Sequence, residues 1–349
     1  MEPWLIILII VLSIIILVLL LSYIMATVIL KKSFQRIDFV EDREYISYKN
    51  IKDKYDRCEY EFKSKKNILK GYLYKKEESN KLVVYVHGMC PGHQGYLSDI
   101  IALLDRGYSV FTYDFTATGA SSGKTYSGLD QQRIDLENAI KFLKENRSFG
   151  YQKIYLYGHS MGGYAVGCVK DEMFNAIVSI SGYDSPISEL LNVFGKNKNK
   201  AFKLLASFMI RIKYLFSEGT KCNIKAHKIL NKTNISTLVI HGTNDELVDY
   251  KDVSIISKKD LINNDKVKYL TIDDEMHNTH NSIIASDDCV KYQKERMEIF
   301  NKVLEETKSR SEAFNAMIKD IDIFKFNEAN KELMDIIDNF YKENEISDW

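Results

Sequence analysis

The stretch IYLYGHSMGG, residues 154–163, decides the fold. Its first four residues are apolar or aromatic and predict a buried strand, and the next five fit the pattern G-x-S-x-G. That pattern is typical of a strand that turns sharply into a helix, with a strained backbone at the serine. Gly158 and Gly162 remove the side chains that would otherwise clash at such a turn. We therefore predict that the hydroxyl of Ser160 stands at the end of a strand as a nucleophile.

The same alternation of strand and helix continues on both sides of this stretch. Short apolar runs predict strands at 59–63, 68–74, 82–87, 109–114, 153–158, 175–181, 236–241 and 267–272. Amphipathic segments predict helices near 96–106, 130–146, 161–171, 250–261 and 286–306. Several strands are apolar on both faces, which is typical of a parallel sheet covered by helices on both sides. The sequence thus predicts an α/β fold with a mostly parallel, eight-stranded sheet flanked by helices.

Residues that follow two later strands supply the groups that would activate this serine. A serine hydroxyl needs a base, and the base needs an orienting carboxylate. Asp245 comes shortly after the strand at 236–241, and His277 comes shortly after the strand at 267–272. We predict that Ser160 attacks a carbonyl, that His277 takes and returns the proton, and that Asp245 orients His277.

Each of the two partners has a rival nearby in the sequence. Asp249 is the alternative acid, four residues after Asp245. His280 is the alternative base, three residues after His277. The pattern favours Asp245 and His277, and the two rivals stay open.

Backbone amides near the serine would hold the oxyanion of the intermediate. One is the amide of Met161, directly after the nucleophile. The other is predicted at Met89, in the loop after the strand at 82–87, where Gly88 lets the backbone approach the substrate. His87 is expected to hold this loop by hydrogen bonds rather than to act as a base.

Taken together, these residues resemble the α/β-hydrolase superfamily, and within it the serine aminopeptidase and monoacylglycerol-lipase-like branch. The resemblance covers about residues 59–306 and is carried by His87-Gly88, the segment 106–114, Gly119 with Ser121, Gly158-His159-Ser160-Met161-Gly162, His241-Gly242 with Asp245, and His277. These motifs are specific to the superfamily and not to a substrate, and the likeness to monoacylglycerol lipases implies a surface that admits an acyl chain. One departure concerns a loop that borders the site. Where relatives usually have D-x-R-G-x-G-x-S, residues 114–121 read DFTATGAS, without the arginine and the first glycine.

The first thirty residues differ from the rest of the chain. No charged residue occurs from Pro3 to Leu30, and a helix of this length exceeds the roughly 30 Å hydrocarbon core of a bilayer. We predict a transmembrane anchor over 1–30, with a cleaved signal peptide as its main rival. Lys31 and Lys32 follow the segment, and the positive-inside rule then places the body in the cytoplasm, with an outward-facing body as the alternative.

The remaining boundaries follow from changes of pattern along the chain. Residues 31–57 are dense in charges of mixed sign and are predicted to be a juxtamembrane linker. The hydrolase domain is predicted over 58–306, with a helical cap insertion at about 183–233. Residues 307–349 are predicted to be a helical extension that docks on the body.

Composition excludes several classes of function. The chain has 349 residues, with 48 basic and 48 acidic side chains, so the basic excess typical of nucleic-acid binding is absent. The five cysteines form no C-x-x-C pair and the histidines form no metal-binding motif, so we predict neither a catalytic metal nor a cofactor.

The sequence therefore predicts a membrane-anchored serine hydrolase whose substrate is a small ester, with lipid-like esters or monoacylglycerols favoured. A serine peptidase of the aminopeptidase type, an acyltransferase and a catalytically silent binding protein on the same fold are the alternatives.

Overall fold

The computed structural model describes residues 2–41, 43–126, 128–196, 198–218 and 223–345. Eight strands form one sheet: β1 (Arg57–Ser64), β2 (Asn67–Tyr74), β3 (Lys81–Val86), β4 (Ser109–Tyr113), β5 (Lys153–His159), β6 (Ala176–Ile180), β7 (Ser236–Gly242) and β8 (Val267–Ile272). Their spatial order is β1-β2-β4-β3-β5-β6-β7-β8. β2 is antiparallel to both of its neighbours, and all other pairs are parallel. The predicted eight-stranded, mostly parallel sheet is thereby confirmed.

The helices are α1 (Pro3–Ser33), α2 (Leu97–Asp105), α3 (Gln131–Glu145), α4 (Met161–Gly167), α5 (Pro186–Gly195), α6 (Lys200–Glu218), α7 (Ala226–Leu230), α8 (Asp287–Thr307), α9 (Arg310–Ile318), α10 (Ile323–Phe326) and α11 (Lys331–Glu343). The helix predicted near 250–261 is wrong, because this stretch holds only a 3-10 turn over Ile256–Leu261. Helices α5, α6 and α7 occupy the predicted cap insertion.

The sheet separates two apolar cores, as the alternation of side chains along a strand requires. In β3, Leu82 and Val84 face the core that contains the buried residues of α3 and α4, whereas Val83 and Tyr85 face the opposite core. Helices α2 and α11 pack on that opposite face. Both faces of the central strands are therefore covered, which explains why these strands are apolar throughout.

The C-terminal helix α11 belongs to this core. Six of its residues are buried: Leu333, Met334, Ile337, Asp338, Phe340 and Tyr341. The ring of Tyr341 stacks on Tyr155 of β5, and its hydroxyl donates a hydrogen bond to the Leu156 carbonyl over 3.0 Å. By contrast, α8 buries only Cys289 and Val290. The helix placed outside the predicted 58–306 domain thus covers the sheet, while α8 lies at the surface.

The apolar helix α1 is the single helix among the described residues that is long and apolar enough to cross a membrane. Only Ser22, Ala26 and Leu30 of this helix are buried, at a spacing of four residues. The last turns of α1 pack against cap helix α6, where the rings of Tyr23 and Phe216 meet edge to face with centroids 5.9 Å apart.

The segment after α1 packs on the body more closely than a solvated linker would. Phe34, Ile46, Ile51 and Tyr55 are buried. The backbone at Ile37 pairs with the loop that follows β4, through Ile37 N to Ala117 O at 3.0 Å and Gly119 N to Ile37 O at 3.1 Å. These four residues are scattered through a segment dense in charges and form no continuous apolar run, so its composition alone predicted a solvated linker.

Candidate active site

Ser160 sits at the tight turn between β5 and α4. Its backbone has φ +58° and ψ −119°, a conformation that residues other than glycine rarely adopt. A Cβ on Gly162 would lie 1.9 Å from the Val86 carbonyl oxygen, and one on Gly158 would lie 2.4 Å from the Gly162 carbonyl oxygen. Both glycines are therefore required by close approach of backbone to backbone, and they allow α4 to begin directly at the end of β5.

The base that contacts Ser160 is His280. Its Nε2 accepts a hydrogen bond from Ser160 Oγ over 2.9 Å, and its Nδ1 donates to Asp245 Oδ2 over 2.8 Å. Because Nδ1 carries the proton, Nε2 is the free base position that faces the hydroxyl. Ser160, His280 and Asp245 thus have the geometry of a nucleophile, a base and an orienting carboxylate.

The prediction of His277 as the base is corrected by this geometry. His277 Nδ1 donates to the Ser282 carbonyl over 3.0 Å, and Nε2 donates to Asp287 Oδ1 over 2.8 Å. Since both partners can only accept, both ring nitrogens carry a proton, which leaves no free base position. Burial lowers the pKa of His277, but the hydrogen bonds to Ser282 and Asp287 outweigh burial and raise the pKa overall.

The loop after β8 explains why the two histidines differ. The Asn244 amide donates to the Asn278 carbonyl over 2.9 Å. A Cβ on Gly242 would lie 2.2 Å from that same carbonyl oxygen, so the end of β7 packs directly on the loop. With residue 278 fixed in this way, His280 reaches Asp245, and His277 turns toward the first residue of α8.

Asp245 is the acid that the structure brings to the site. Its Oδ1 accepts from the amides of Leu247 at 3.0 Å and Val248 at 2.8 Å, and its Oδ2 lies 3.1 Å from His241 Nε2. Burial alone would raise the pKa of Asp245, but the hydrogen bonds from His241 and His280 hold it well below its usual range. The rival Asp249 instead accepts from the Lys251 and Asp252 amides and closes a local turn.

His159 and Tyr96 form a chain of hydrogen bonds that supports the loop after β8 at His280. His159 Nε2 donates to the carbonyl of His280 over 2.9 Å, and Tyr96 donates its hydroxyl hydrogen to His159 Nδ1 over 2.8 Å. Burial lowers the pKa of His159 to about 3, so the ring is neutral and its two roles are fixed. In the sequence, His159 is distinguished only by its place inside the G-x-S-x-G motif. The spacing along the chain gave no signal of its 121-residue contact to His280.

The two residues predicted to supply oxyanion amides both lie near Ser160 in the structure. Met161 is the first residue of α4, so its amide has no acceptor within the helix. Gly88 packs closely beside the nucleophile, because a Cβ there would lie 3.0 Å from the Ser160 Cβ. Met89 follows it in the chain and has an exposed side chain. Their role toward an oxyanion stays a prediction.

His87 lies under this loop as a fully buried side chain. Its Nδ1 lies 2.7 Å from the Gly88 carbonyl oxygen, and Gln132 Nε2 donates to the His87 carbonyl over 2.7 Å. Burial lowers the pKa of His87 to about 4, which keeps the ring neutral near pH 7. These contacts agree with the expectation that His87 holds the loop.

An arginine from outside the predicted domain supports the loop 114–121. Arg36, just after α1, donates from its guanidinium to the carbonyls of Ser121 at 2.7 Å and Gly123 at 3.2 Å, and to that of Gly119. The loop lacks the arginine that relatives carry, and this contact gives it a guanidinium from another part of the chain.

The cap brings one acidic side chain toward the triad. Glu189 on α5 is 4% exposed, and no hydrogen-bond partner is found for its Oε2. Burial, with the charges of Asp245 and Asp249 adding to it, raises the pKa of Glu189 to about 8. Within the described ranges, no group of three or more His, Cys, Asp or Glu side chains is arranged to hold a metal ion.

Comparison with known proteins agrees with this architecture. The family model described as "Serine aminopeptidase, S33" matches residues 77–182. No curated protein matches the chain. The esterase Pf2001 from Pyrococcus furiosus superposes with a TM-score of 0.53 at 20% identity, covering 77% of this chain and 99% of that chain.

Two further solved structures are similar at lower scores. Est1E from Butyrivibrio proteoclasticus, whose structure holds ferulic acid, has a TM-score of 0.48 at 18% identity and covers 63% of this chain and 90% of that one. An acylaminoacyl peptidase from Pyrococcus horikoshii has a TM-score of 0.46 at 16% identity, covering 74% of this chain and 43% of that one. The sheet order and the superposition on Pf2001 show that this chain has the α/β-hydrolase fold, and the family match to 77–182 supports a serine hydrolase.

Proposed function

We propose that this protein hydrolyses carboxylic esters through an acyl-enzyme on Ser160. The observation that carries the proposal is the contact of Ser160 Oγ with His280 Nε2 at 2.9 Å, with His280 Nδ1 held by Asp245 at 2.8 Å. The Ser160 oxygen bonds to the ester carbonyl carbon as its proton passes to His280. His280 returns that proton to the departing alcohol, and water, deprotonated by the same ring, then releases the acid.

A lipid-like ester is the favoured substrate class because of the cap. Helix α6 exposes a row of large apolar side chains: Phe202, Leu204, Leu205, Phe208, Leu215 and Phe216. The same helix packs on the last turns of α1. If α1 crosses a bilayer, this apolar face lies beside the membrane surface, where an amphiphilic ester such as a monoacylglycerol enters.

Hydrolysis is tested with the full chain purified in a neutral detergent. We expect turnover of p-nitrophenyl esters, with a preference among acyl chains of different length, and labelling of Ser160 by a fluorophosphonate probe. Ser160→Ala is the control and should lose both signals. Probe labelling without ester turnover in water would favour an acyltransferase, and adding an alcohol acceptor would then reveal the transferred product. Absence of both labelling and turnover, in a protein that is folded by circular dichroism, would leave a binding role and refute the proposal.

Membrane anchoring by residues 1–30, with the body on the cytoplasmic side, is part of the same proposal. We expect the full chain to stay in the pellet after alkaline carbonate extraction, and its mass to include the first residues. Protease should reach the body in inverted vesicles of a bacterial host and not in sealed cells. Release by carbonate, or a mass that lacks residues 1–30, would favour a cleaved signal peptide.

A second candidate, a serine peptidase, is favoured by Glu189 alone. A buried carboxyl group beside the triad, with an oxygen that has no hydrogen-bond partner, is suited to receive a substrate's amino group. A panel of aminoacyl amides against the matched esters decides between the two. Glu189→Gln should lower amide cleavage selectively if this candidate is right, and should leave ester cleavage unchanged within a few-fold.

A further inference from the structure

The ring of Tyr96 lies beside the active site, at the end of the 3-10 turn His93–Tyr96 that leads into α2. The side chain is 8% exposed. Its ring packs against Tyr85 of β3 and against His159, with centroids 5.8 Å and 5.6 Å apart. Tyr85 is itself fixed, because its hydroxyl donates to Asp99 Oδ2 over 2.7 Å. The position of the Tyr96 hydroxyl is therefore set by buried neighbours of its ring.

One contact of this hydroxyl leads to the base. The hydroxyl donates to His159 Nδ1 over 2.8 Å, which leaves the proton of that neutral ring on Nε2. His159 Nε2 in turn donates to the His280 carbonyl over 2.9 Å. His280 presents its own Nε2 to Ser160 Oγ over 2.9 Å. Tyr96 is thus two hydrogen bonds away from the backbone of the residue that takes the proton.

The same hydroxyl also reaches the loop after β3. A Cβ on Gly88 would lie 2.6 Å from the Tyr96 hydroxyl oxygen and 3.0 Å from the Ser160 Cβ, so Gly88 packs closely against both. Burial raises the pKa of Tyr96 well above its usual range, and a hydrogen bond from the Gly88 backbone offsets a part of that effect. The hydroxyl therefore stays protonated near neutral pH and donates to His159 while its oxygen faces Gly88.

These two contacts join the two parts of the site that have to act together. Gly88 precedes Met89, whose amide is predicted to hold the oxyanion, and His280 is the base that takes the Ser160 proton. Negative charge on the carbonyl oxygen and positive charge on the imidazole develop at the same time, so the donor and the base must both be aligned with Ser160. An error of about 1 Å in either position costs on the order of 100-fold in rate.

We propose that Tyr96 is a positioning residue whose hydroxyl holds the loop after β3 at Gly88 and the loop after β8 at His280 in alignment with Ser160. It acts through Gly88 and His159 rather than on the reacting atoms. The inference rests on the proposed acyl-enzyme chemistry of Ser160 and on the predicted role of the Met89 amide.

The first test compares wild type with Tyr96→Phe, which keeps the buried ring and removes only the hydroxyl. We expect kcat for p-nitrophenyl butyrate to fall by about 30- to 300-fold, with KM changed less than about threefold, because both loops lose their alignment. The rate at which a fluorophosphonate labels Ser160 should fall by a similar factor. Tyr96→p-aminophenylalanine restores a hydrogen-bond donor at the same point and should recover a large part of both rates.

Tyr108→Phe is the matched control. The Tyr108 side chain is 1% exposed, and its hydroxyl donates to Asp338 Oδ1 over 2.7 Å. Tyr108 directly precedes β4, whereas Ser160 follows the carboxyl end of β5, so the two residues lie at opposite ends of the sheet. This variant also loses one buried hydroxyl, and we expect its kcat and its labelling rate to stay within about threefold of wild type.

A double-mutant cycle tests the link to the base. His159→Leu breaks only the contact to His280, so Tyr96→Phe should lower kcat at least about threefold more than His159→Leu does. Adding His159→Leu to Tyr96→Phe should lower kcat by a smaller factor than His159→Leu does in wild type, because the two residues act on His280 in series. Fully additive effects would overturn the link to the base.

The proposal is wrong if folded Tyr96→Phe has wild-type kcat and labelling rate, if its KM rises as much as its kcat falls, or if Tyr108→Phe is equally impaired. Thermal unfolding by circular dichroism shows whether each variant is folded. If Tyr96→Phe is not, the smaller change Tyr96→p-aminophenylalanine is compared with wild type, and a lower kcat at unchanged KM is again expected. A wild type that is labelled but hydrolyses no ester would contradict ester hydrolysis alone, because the labelling rates still test Tyr96.

Discussion

The turn at Ser160 and the loop at His280 meet at one site, yet different forces hold them in place. At the turn, contacts within a few residues and with the adjacent strand leave no room for a side chain at Gly158 or Gly162. At the loop, the position of His280 depends on two hydrogen bonds with residues far away in the chain: its carbonyl accepts one from His159, and its ring donates one to Asp245. Local sterics are visible in a sequence pattern, whereas a hydrogen bond across 121 residues is not.

The largest effect is expected at the turn. Gly162→Ala places a Cβ 1.9 Å from the Val86 carbonyl oxygen, and both sides of that contact are backbone, so neither can move without disturbing the sheet. We expect a loss of stability above about 4 kcal/mol and little folded protein. Thermal unfolding followed by circular dichroism measures this.

Gly195→Ala on α5 is the matched control. Its new Cβ would lie 3.3 Å from the Cγ of Lys203, a flexible side chain that can move away. The change should alter stability by less than about 1 kcal/mol, since alanine also favours a helix. Equal loss in both variants would show that the turn at Ser160 is not specially constrained.

The second-largest effect is expected at His280, and it distinguishes the two histidines in the loop after β8. His280→Ala should lower kcat for p-nitrophenyl esters by about 10⁴- to 10⁶-fold, because the base is lost. His277→Ala should leave kcat within about threefold, because that ring contacts Ser282 and Asp287 and not the nucleophile. Steady-state kinetics of the two variants under the same conditions decides, and a comparable loss in both would contradict the assignment of His280 as the sole base.

The fold and half of the site could be predicted from the sequence for the same physical reason. A buried parallel strand requires a run of apolar residues, and the turn at Ser160 requires glycines two positions on either side. Both requirements are met by residues that are neighbours in the sequence, so both can be recognised there. The choice between His277 and His280 is not local, because both follow β8 and both are followed by polar residues. What selects His280 is the packing of Asn278 on Gly242, together with Asp287 as a partner for His277.

The same distinction explains the two helices near the C-terminus. The pattern of α8 predicts a helix, but nothing in its own residues shows that it covers little of the sheet. The apolar side of α11 is equally plain in the sequence, yet its place on β5 depends on the stacking of Tyr341 on Tyr155. Element type is predictable from periodicity, whereas the partner of an apolar face is a tertiary property.

The third prediction tests how far His159 positions His280. His159→Leu removes the Nε2 donor to the His280 carbonyl, and we expect kcat to fall by about 10- to 100-fold with KM changed less than threefold. His159→Gln can still donate from its amide and should restore part of this loss. If both variants are equally impaired, or if KM changes as much as kcat, His159 serves the general packing of the site and not the position of the base.

The fourth prediction compares the pH dependence of stability for two histidines, the fully buried His159 and the half-buried His277. The native pKa of His159 is lowered to about 3, so below about pH 6.5 the unfolded chain binds a proton at this residue that the native state does not. Stability must therefore fall as pH falls from about 6.5 toward 3, by at most roughly 1.4 kcal/mol per pH unit from this residue. His159→Gln should make the decline of Tm with falling pH less steep.

His277→Gln supplies the opposite sign for that comparison. Its native pKa is raised, so its contribution is fully present below about pH 6.5 and is lost as pH rises through the native pKa. Removing it should lower Tm more at pH 5.5 than at pH 8. The same direction of change in both variants would contradict the assigned protonation of one of the two rings.

The smallest effect is expected at Arg36. Like His159, this residue stabilises a loop that is distant in the sequence, and no motif around it predicts the contact. Its guanidinium donates to the carbonyls of Gly119, Ser121 and Gly123 and is partly exposed, so we expect Arg36→Gln to cost about 1–2 kcal/mol and to lower Tm by a few degrees. Arg36→Lys keeps the charge but not the planar fork of donors, so it should recover only part of the loss. If Arg36→Lys equals wild type, charge alone supports the loop. If Arg36→Gln equals wild type, the three carbonyls are as well satisfied by water, and the loop at 114–121 is stable without an arginine.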